Sequence, residues 1–202
     1  MKGLLLKDYY LIRSVLYIIL AVFAVTGIGM SFLASAWVLT VMATVMLGMI
    51  SVTTIQMDKH SGWRKISAVL PVSRKAVLDS KYILYILLSG AGLLFGILFS
   101  VTVSVCQGQP DYDSMLLYAG ISIALALFSG SMTLPFTFLF SEEKSMLCLI
   151  IAYPLSSAAF AGAAMLAGSR MMACGLTAAA GILLYMLSWS ISRTYIAKRD
   201  IE

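Results

Sequence analysis

The feature that most constrains this chain is the absence of charge over long apolar stretches. No Asp, Glu, Lys, Arg or His occurs in residues 14–57, and 61% of the 202 residues are hydrophobic while only 11% are charged. A soluble domain of this length cannot bury so much apolar surface, because the fraction of surface that folding buries is limited by chain length. We therefore expect the solvent for most of the chain to be lipid.

Lipid permits few architectures. Backbone polar groups in a bilayer must find partners within the protein, so membrane spans are helices or closed barrels. A barrel would show short alternating segments, whereas this chain shows long unbroken apolar runs. The predicted fold class is all-α, with one transmembrane domain over residues 1–202 and six membrane-spanning helices. The predicted spans cover approximately residues 14–34, 37–57, 82–105, 115–140, 146–168 and 171–192.

The N-terminal region has two features of interest. Basic residues precede the first apolar run, and Ala34-Ser35-Ala36 fits the cleavage pattern of a signal peptide. The run over 14–33 is long enough to span a bilayer by itself, and we interpret it as a retained first helix. Residues 1–13 mix leucines and tyrosines with charged residues, which predicts a short N-terminal interfacial helix before the first span. A frayed terminus would have the same composition.

The positive charges are distributed unevenly between the two sides of the predicted bundle. Of the 14 Lys and Arg residues, 13 fall on one side and only Arg170 falls on the other. The positive-inside rule makes the basic side cytoplasmic and places both termini there. The net charge of +5 is therefore attributed to topology and not to nucleic-acid binding. We expect a multi-pass protein in contact with membrane lipid.

Residues that carry chemistry are few. The predicted spans contain no Asp, Glu, Lys, Arg or His, the chain has no P-loop motif, and the single histidine, His60, lies in a polar loop. Cys106, Cys148 and Cys174 form no CxxC pair, although a disulfide between Cys106 and Cys174 is left open. The sequence predicts no catalytic residue, cofactor or metal site in this chain. Active transport would then need energy from a partner.

The polar segment 58–81, between the second and third spans, has its own pattern. Ser61 can cap a short helix over 62–70 that has one apolar face with a tryptophan. Pro71 ends this helix, because the residue before a proline disfavours helical conformation, and Ser73 can cap a second helix that runs into the third span. Two interpretations stay open, a positively charged loop with an interfacial tryptophan or a protein-docking element.

Two stretches resemble the small bacterial type-2 ABC exporter permeases. They are Lys2-Gly-Leu-Leu-Leu-Lys-Asp8 and the run Gly62-Trp…Leu-Pro-Val-Ser-Arg-Lys75…Ser80-Lys-Tyr82. Members of that family pair six-helix permeases with separately encoded ATPases. The resemblance implies a cytoplasmic coupling helix between helices 2 and 3, two copies of an ABC ATPase subunit that bind ATP and Mg²⁺, and a second permease copy or homologue.

The resemblance also implies which residues dock the ATPase, because the coupling helix of such exporters fits a groove in that subunit. The loop after the fourth span departs from the family pattern and gives only a candidate second contact. Carried over to this sequence, the coupling residues are Asp58, Trp63, Arg64, Lys65, Leu70, Pro71, Arg74 and Lys81, and the candidate second contact is Glu142, Glu143 and Lys144.

These observations predict the transmembrane permease subunit of an ATP-driven ABC exporter in the bacterial plasma membrane. The uncharged spans favour an amphipathic or apolar cargo, such as a peptide or a lipid-like compound. The chain itself is not expected to be an enzyme. Two alternatives stay open: a non-transporting immunity or scaffold protein that sequesters a peptide, and a membrane enzyme whose site the sequence does not reveal.

Overall fold

The computed structural model describes residues 2–31, 35–63, 73–108, 112–140, 142–167 and 169–198. All regular structure in these ranges is helical, and each of the six helices is long and apolar enough to cross a membrane. The prediction of an all-α protein with six membrane-spanning helices is therefore confirmed. The helices are α1 (Lys2–Ser31), α2 (Val38–His60), α3 (Arg74–Cys106), α4 (Tyr112–Leu139), α5 (Glu142–Leu166) and α6 (Arg170–Lys198).

Several helices are longer than the membrane requires. Helix α3 has 33 residues, which is about 50 Å at 1.5 Å per residue, against about 30 Å of hydrocarbon. It begins at Arg74 because Ser73 takes the N-cap position, where its side chain accepts a hydrogen bond from the Ala76 amide at 3.2 Å. The predicted second helix, which runs from Ser73 into the third span, is thus present.

One end of the bundle holds most of the described charged side chains, and we call it the charged end. Helices α1, α3 and α5 begin there, and α2, α4 and α6 end there. Its charged residues include Lys7, Asp8, Asp58, Asp79, Lys81, Lys144 and Arg193.

The predicted N-terminal interfacial helix is not a separate element. Helix α1 is continuous from Lys2 to Ser31, so the first residues form the initial turns of the first spanning helix. The reason is packing, because Leu5, Ile12 and Leu16 lie on one helix face and contact a cluster that includes Leu47 and Leu84. That contact holds the amphipathic turns in line with the span.

Helices α2 and α3 run antiparallel and form the most extensive contact, and α2 also packs against α1 and α4. The close approach of α2 and α3 depends on a GxxxG motif in α3, formed by Gly92 and Gly96. A Cβ atom at Gly96 would lie 2.8 Å from the Thr40 Cα atom, and one at Gly92 would lie 2.7 Å from the Ala43 carbonyl oxygen. The motif therefore serves packing within the chain.

A tyrosine cluster joins α3 to α4 and α6. The Tyr85 ring is buried against Gly130, which has no side chain to displace it, and its hydroxyl donates to the Ala126 carbonyl at 2.8 Å. The Tyr185 ring stacks on Tyr85 with centroids 6.2 Å apart, and its hydroxyl donates to the Tyr82 carbonyl at 2.9 Å. These contacts place α6 beside the first half of α3.

The end of α2 differs from the sequence prediction in one detail. Ser61 occupies the C-cap position of α2 and Gly62 follows with φ +67°, a conformation that glycine adopts without steric cost. Ser61 therefore closes α2, and its hydroxyl donates to the Asp58 carbonyl at 3.4 Å. Trp63 is helical again, and the rest of the predicted helix over 62–70 lies outside the described residues.

The three cysteines are free thiols, so Cys106 and Cys174 do not pair. Cys106 is exposed at the end of α3, whereas Cys174 is buried in α6. The Cys174 sulfur lies 3.7 Å from the Leu117 carbonyl oxygen of α4. The two cysteines therefore belong to different surroundings.

The α2–α3 contact leads to a stability prediction. Gly96→Ala is expected to lower stability by about 1–3 kcal/mol, because the new methyl group meets backbone atoms of α2 that have no room to move. Gly90→Ala is the matched control, since a Cβ atom there meets nothing within 4 Å. Thermal unfolding in detergent measures both variants. An unchanged midpoint for Gly96→Ala would contradict the proposed role of this contact.

Candidate functional site

Four charged side chains from three helices meet inside the charged end. The Lys81 Nζ atom lies 2.8 Å from Asp8 Oδ1 and 2.6 Å from Asp58 Oδ2. The Lys7 Nζ atom pairs with Asp58 Oδ1 and lies 3.4 Å from Asp8 Oδ1. Each lysine thus contacts both aspartates, and the four charges alternate around a closed ring whose net charge is zero. We call Lys7, Asp8, Asp58 and Lys81 the charge ring.

The charge ring is largely shielded from solvent. Asp8 is 1% exposed, Lys81 is 2% exposed and Asp58 is 7% exposed. Burial of an ion costs several kcal/mol unless partners replace the lost water. An ammonium group has three donors, and those of Lys81 are directed at Asp8, Asp58 and the Thr54 hydroxyl, which lies 3.2 Å away. The ring is therefore satisfied from within the protein.

Trp63 covers the more exposed lysine of the ring. The Lys7 Nζ atom lies 4.3 Å from the centroid of the Trp63 ring, which is a cation–π contact. Trp63 follows the turn after α2 directly, so this contact links the start of the predicted coupling helix to α1.

A second polar cluster joins α3 to α6. Asp79 Oδ1 accepts a hydrogen bond from the Trp189 indole nitrogen at 2.7 Å, and Asp79 Oδ2 lies 3.7 Å from the Arg193 guanidinium. Asp79 and Lys81 are two residues apart, which places them about 200° apart around the helix. The first turns of α3 are therefore bonded to α1 and α2 on one side and to α6 on the other.

The end of α2 is also bonded to α4. The Lys59 ammonium donates to the Phe140 carbonyl at 2.7 Å, at a helix terminus where carbonyl groups lack helical partners. We call Asp58, Lys59, Asp79 and Lys81 the segment base, because they lie at the two ends of the segment 58–81. Through these four residues, α1, α2, α3, α4 and α6 are joined.

The structure places the predicted docking residues in different surroundings. Asp58 and Lys81 point inward to the charge ring, and a lysine that is 2% exposed offers no surface to another protein in this conformation. Trp63 is partly buried against Lys7, and Lys144 is exposed at the start of α5. Docking by these residues stays a prediction. Arg64, Lys65, Leu70 and Pro71 lie outside the described residues, as do the side chains of Arg74, Glu142 and Glu143, which begin helices α3 and α5.

Sequence reasoning missed half of the charge ring and the whole α3–α6 cluster. A signal was present, since Asp8, Asp58 and Asp79 flank apolar runs and a carboxylate at that depth needs a counter-ion. The sequence does not reveal which lysine provides it. Lys7 pairs with Asp58 across 51 residues of chain, and Lys81 pairs with Asp8 across 73.

This arrangement joins helices through ion pairs. Both aspartates are engaged by ammonium groups, and among the described residues no three His, Cys, Asp or Glu side chains are grouped as metal ligands. The charge ring is therefore a mechanical junction between α1, α2 and α3.

The charge ring predicts that removal of Lys81 strongly lowers the stability of the bundle. It also predicts that removal of a matching aspartate restores part of that stability. Lys81→Met is expected to cost about 3–5 kcal/mol, because it leaves two buried carboxylates with a single ammonium group, that of Lys7. Adding Asp8→Asn to Lys81→Met restores a neutral Lys7–Asp58 pair and should recover at least half of the loss. Thermal unfolding midpoints in detergent measure the cycle.

Lys75→Met is the control, since Lys75 is exposed on the same helix, and a surface change of this kind is worth within about 0.5 kcal/mol. Equal midpoints for Lys81→Met and Lys75→Met would show that the ring does not stabilise the bundle.

Comparison with known proteins agrees with this architecture. A family model described as "ABC-2 family transporter protein" matches residues 3–196, which is nearly the whole chain and includes all six helices. No curated protein and no solved structure gives a match. The chain therefore belongs to the ABC-2 transporter family and is a membrane-spanning permease of an ABC transporter.

Proposed function

We propose that this permease is the membrane subunit of an ATP-driven exporter in the bacterial plasma membrane, with the charged end and both termini in the cytoplasm. One observation carries the proposal. The family resemblance places the coupling helix in the segment 58–81, and the described residues at the two ends of that segment are bonded to five of the six helices. A force on that segment therefore reaches most of the bundle.

The segment base suggests how such a force is transmitted. Asp58, in the last turn of α2, and Lys81, in the first turns of α3, pair at 2.6 Å, so the two helix ends on either side of the segment are tied together. Separation of α1, α2 and α3 at this end would leave buried charges unpaired, at a cost of about 3–5 kcal/mol. Displacement of the segment by an ATPase would therefore move these three helix ends together.

Permeases of this family work with an ABC ATPase subunit. We propose that two ATPase copies bind ATP and Mg²⁺ and dock on the segment between Trp63 and Arg74, and that two permease copies form the pathway. The Lys59–Phe140 bond holds the α4–α5 turn beside the start of the segment. That proximity supports the turn as a second docking contact, formed by Glu142, Glu143 and Lys144.

The proposed cargo is an amphipathic or apolar molecule. The interior beyond the charged end carries hydroxyl groups, and several of these are bonded within the bundle. Thr40 and Ser100 pair at 2.9 Å between α2 and α3, and the Thr44 hydroxyl donates to the Thr40 carbonyl. No charged residue occurs in α2 before Asp58, which supports a cargo that does not need a counter-charge in the membrane.

Co-purification with the ATPase tests the docking proposal. The double variant Trp63→Ala/Arg64→Ala is expected to retain at most about a tenth of the ATPase held by the unmodified chain, because truncation of an aromatic and a basic anchor commonly costs 2 kcal/mol or more. Arg170→Ala, at the opposite end, is the control and should retain all of it.

Undiminished ATPase binding by the double variant would refute the coupling assignment. Absence of any ATPase from the purified protein would favour the immunity or scaffold alternative. Turnover of a substrate without nucleotide would favour a membrane enzyme.

The orientation is tested by cysteine labelling. In intact cells a membrane-impermeant maleimide is expected to modify Cys106, which is exposed at the end opposite the charged end. A variant with Lys75→Cys as its only cysteine should react only after the membrane is opened, because positive residues are retained on the cytoplasmic side. The reverse pattern would invert the proposed topology.

A further inference from the structure

A groove separate from the charge ring runs along the outer surface between α4 and α5. It has a volume of about 290 Å³, and its lining extends from Met132 to Phe140 on α4 and from Lys144 to Ala152 on α5. The lining is apolar apart from Lys144. It shares no residue with the segment base.

The dimensions of the groove match one leaflet of a bilayer. The lining covers eight residue steps on each helix, or about 12 Å at 1.5 Å per residue. Half of a hydrocarbon core of about 30 Å is about 15 Å. Because α4 and α5 are joined by a short turn, Phe140 and Lys144 lie at the charged end of the groove, and Met132 and Ala152 lie toward the middle of the membrane.

Lys144, the cationic residue of the lining, indicates which class of molecule the groove binds. Lys144 is exposed, and none of the carboxylates whose side chains the structure describes forms an ion pair with it. An ammonium group at the boundary of the hydrocarbon attracts anionic headgroups. The rest of the lining, which includes Phe136, Leu147 and Ile151, offers no partner for the backbone of a peptide.

We propose that the groove binds one acyl chain of an anionic phospholipid from the leaflet at the charged end, with the headgroup phosphate on Lys144. The apolar lining accommodates the chain, the length fits the leaflet, and the cation stands where the phosphate lies. Lys144 also belongs to the proposed second docking contact, but lipid binding in the groove needs no ATPase and is tested on the permease alone.

Native mass spectrometry of the full chain in a non-ionic detergent tests the proposal. The protein is titrated with phosphatidylglycerol or with phosphatidylcholine of the same acyl composition. The unmodified chain should retain phosphatidylglycerol roughly fivefold more than phosphatidylcholine, and Lys144→Gln should remove that preference. Lys75→Gln, which changes another exposed lysine at the same end, should leave the preference intact.

A second pair of variants tests the apolar part of the site. Cys148→Phe places a ring in the groove and is expected to reduce the retention of both lipids, whereas Leu155→Phe adds the same ring to an exposed position outside it. Unfolding midpoints confirm that both variants fold.

Three results would overturn the proposal. The first is equal retention of the two lipids by the unmodified chain, and the second is an unchanged preference in Lys144→Gln. The third is a dimer in which lipid adducts disappear, since the groove would then be a contact between two copies of the chain.

Discussion

The structure depends most on the alternating ring of two lysines and two aspartates where three helices meet. In a medium of low dielectric constant, an unpaired charge at this depth is far more costly than the same charge in water. Each member of the ring therefore needs the others, and they come from α1, α2 and α3. Because Lys59 and Asp79 extend the bonding to α4 and α6, the position of nearly every helix end follows from this junction.

Away from the charged end, the bundle is held by a different interaction. Lipid provides no hydrophobic driving force between helices, so close packing and hydrogen bonds must hold them together. Gly92 and Gly96 let the α2 and α3 backbones approach, and the Thr40–Ser100 hydrogen bond lies one turn farther along. The central position of α2 follows, since 61% of its most apolar stretch is buried, against 11% for α5. Helix α5 faces outward and forms one wall of the groove that we assign to a lipid.

We propose that the segment 58–81 has two separate roles, docking of the ATPase and joining of helices. The family resemblance assigns docking to the whole segment. Asp58 and Lys81 flank the segment but point into the bundle, where they join helices. In our proposal the part between Trp63 and Arg74 meets the ATPase. In the proposed mechanism this part docks the ATPase, and the segment base transmits the resulting movement to the helices. The cation–π contact between Trp63 and Lys7 connects the docking part of the segment to the charge ring. A change at Trp63 therefore alters the surroundings of Lys7.

The sequence by itself determined the helical class, the six spans and the side that carries the positive charge, because hydropathy and charge are properties of about 20 consecutive residues. It did not determine that α1 is continuous, because Leu5 and Ile12 have the same spacing in an interfacial helix as in a packed one. Only the tertiary structure decided which lysine neutralises which aspartate. The Lys7–Asp58 and Lys81–Asp8 pairs are 51 and 73 residues apart in sequence. These pairs form only when the helices fold against one another.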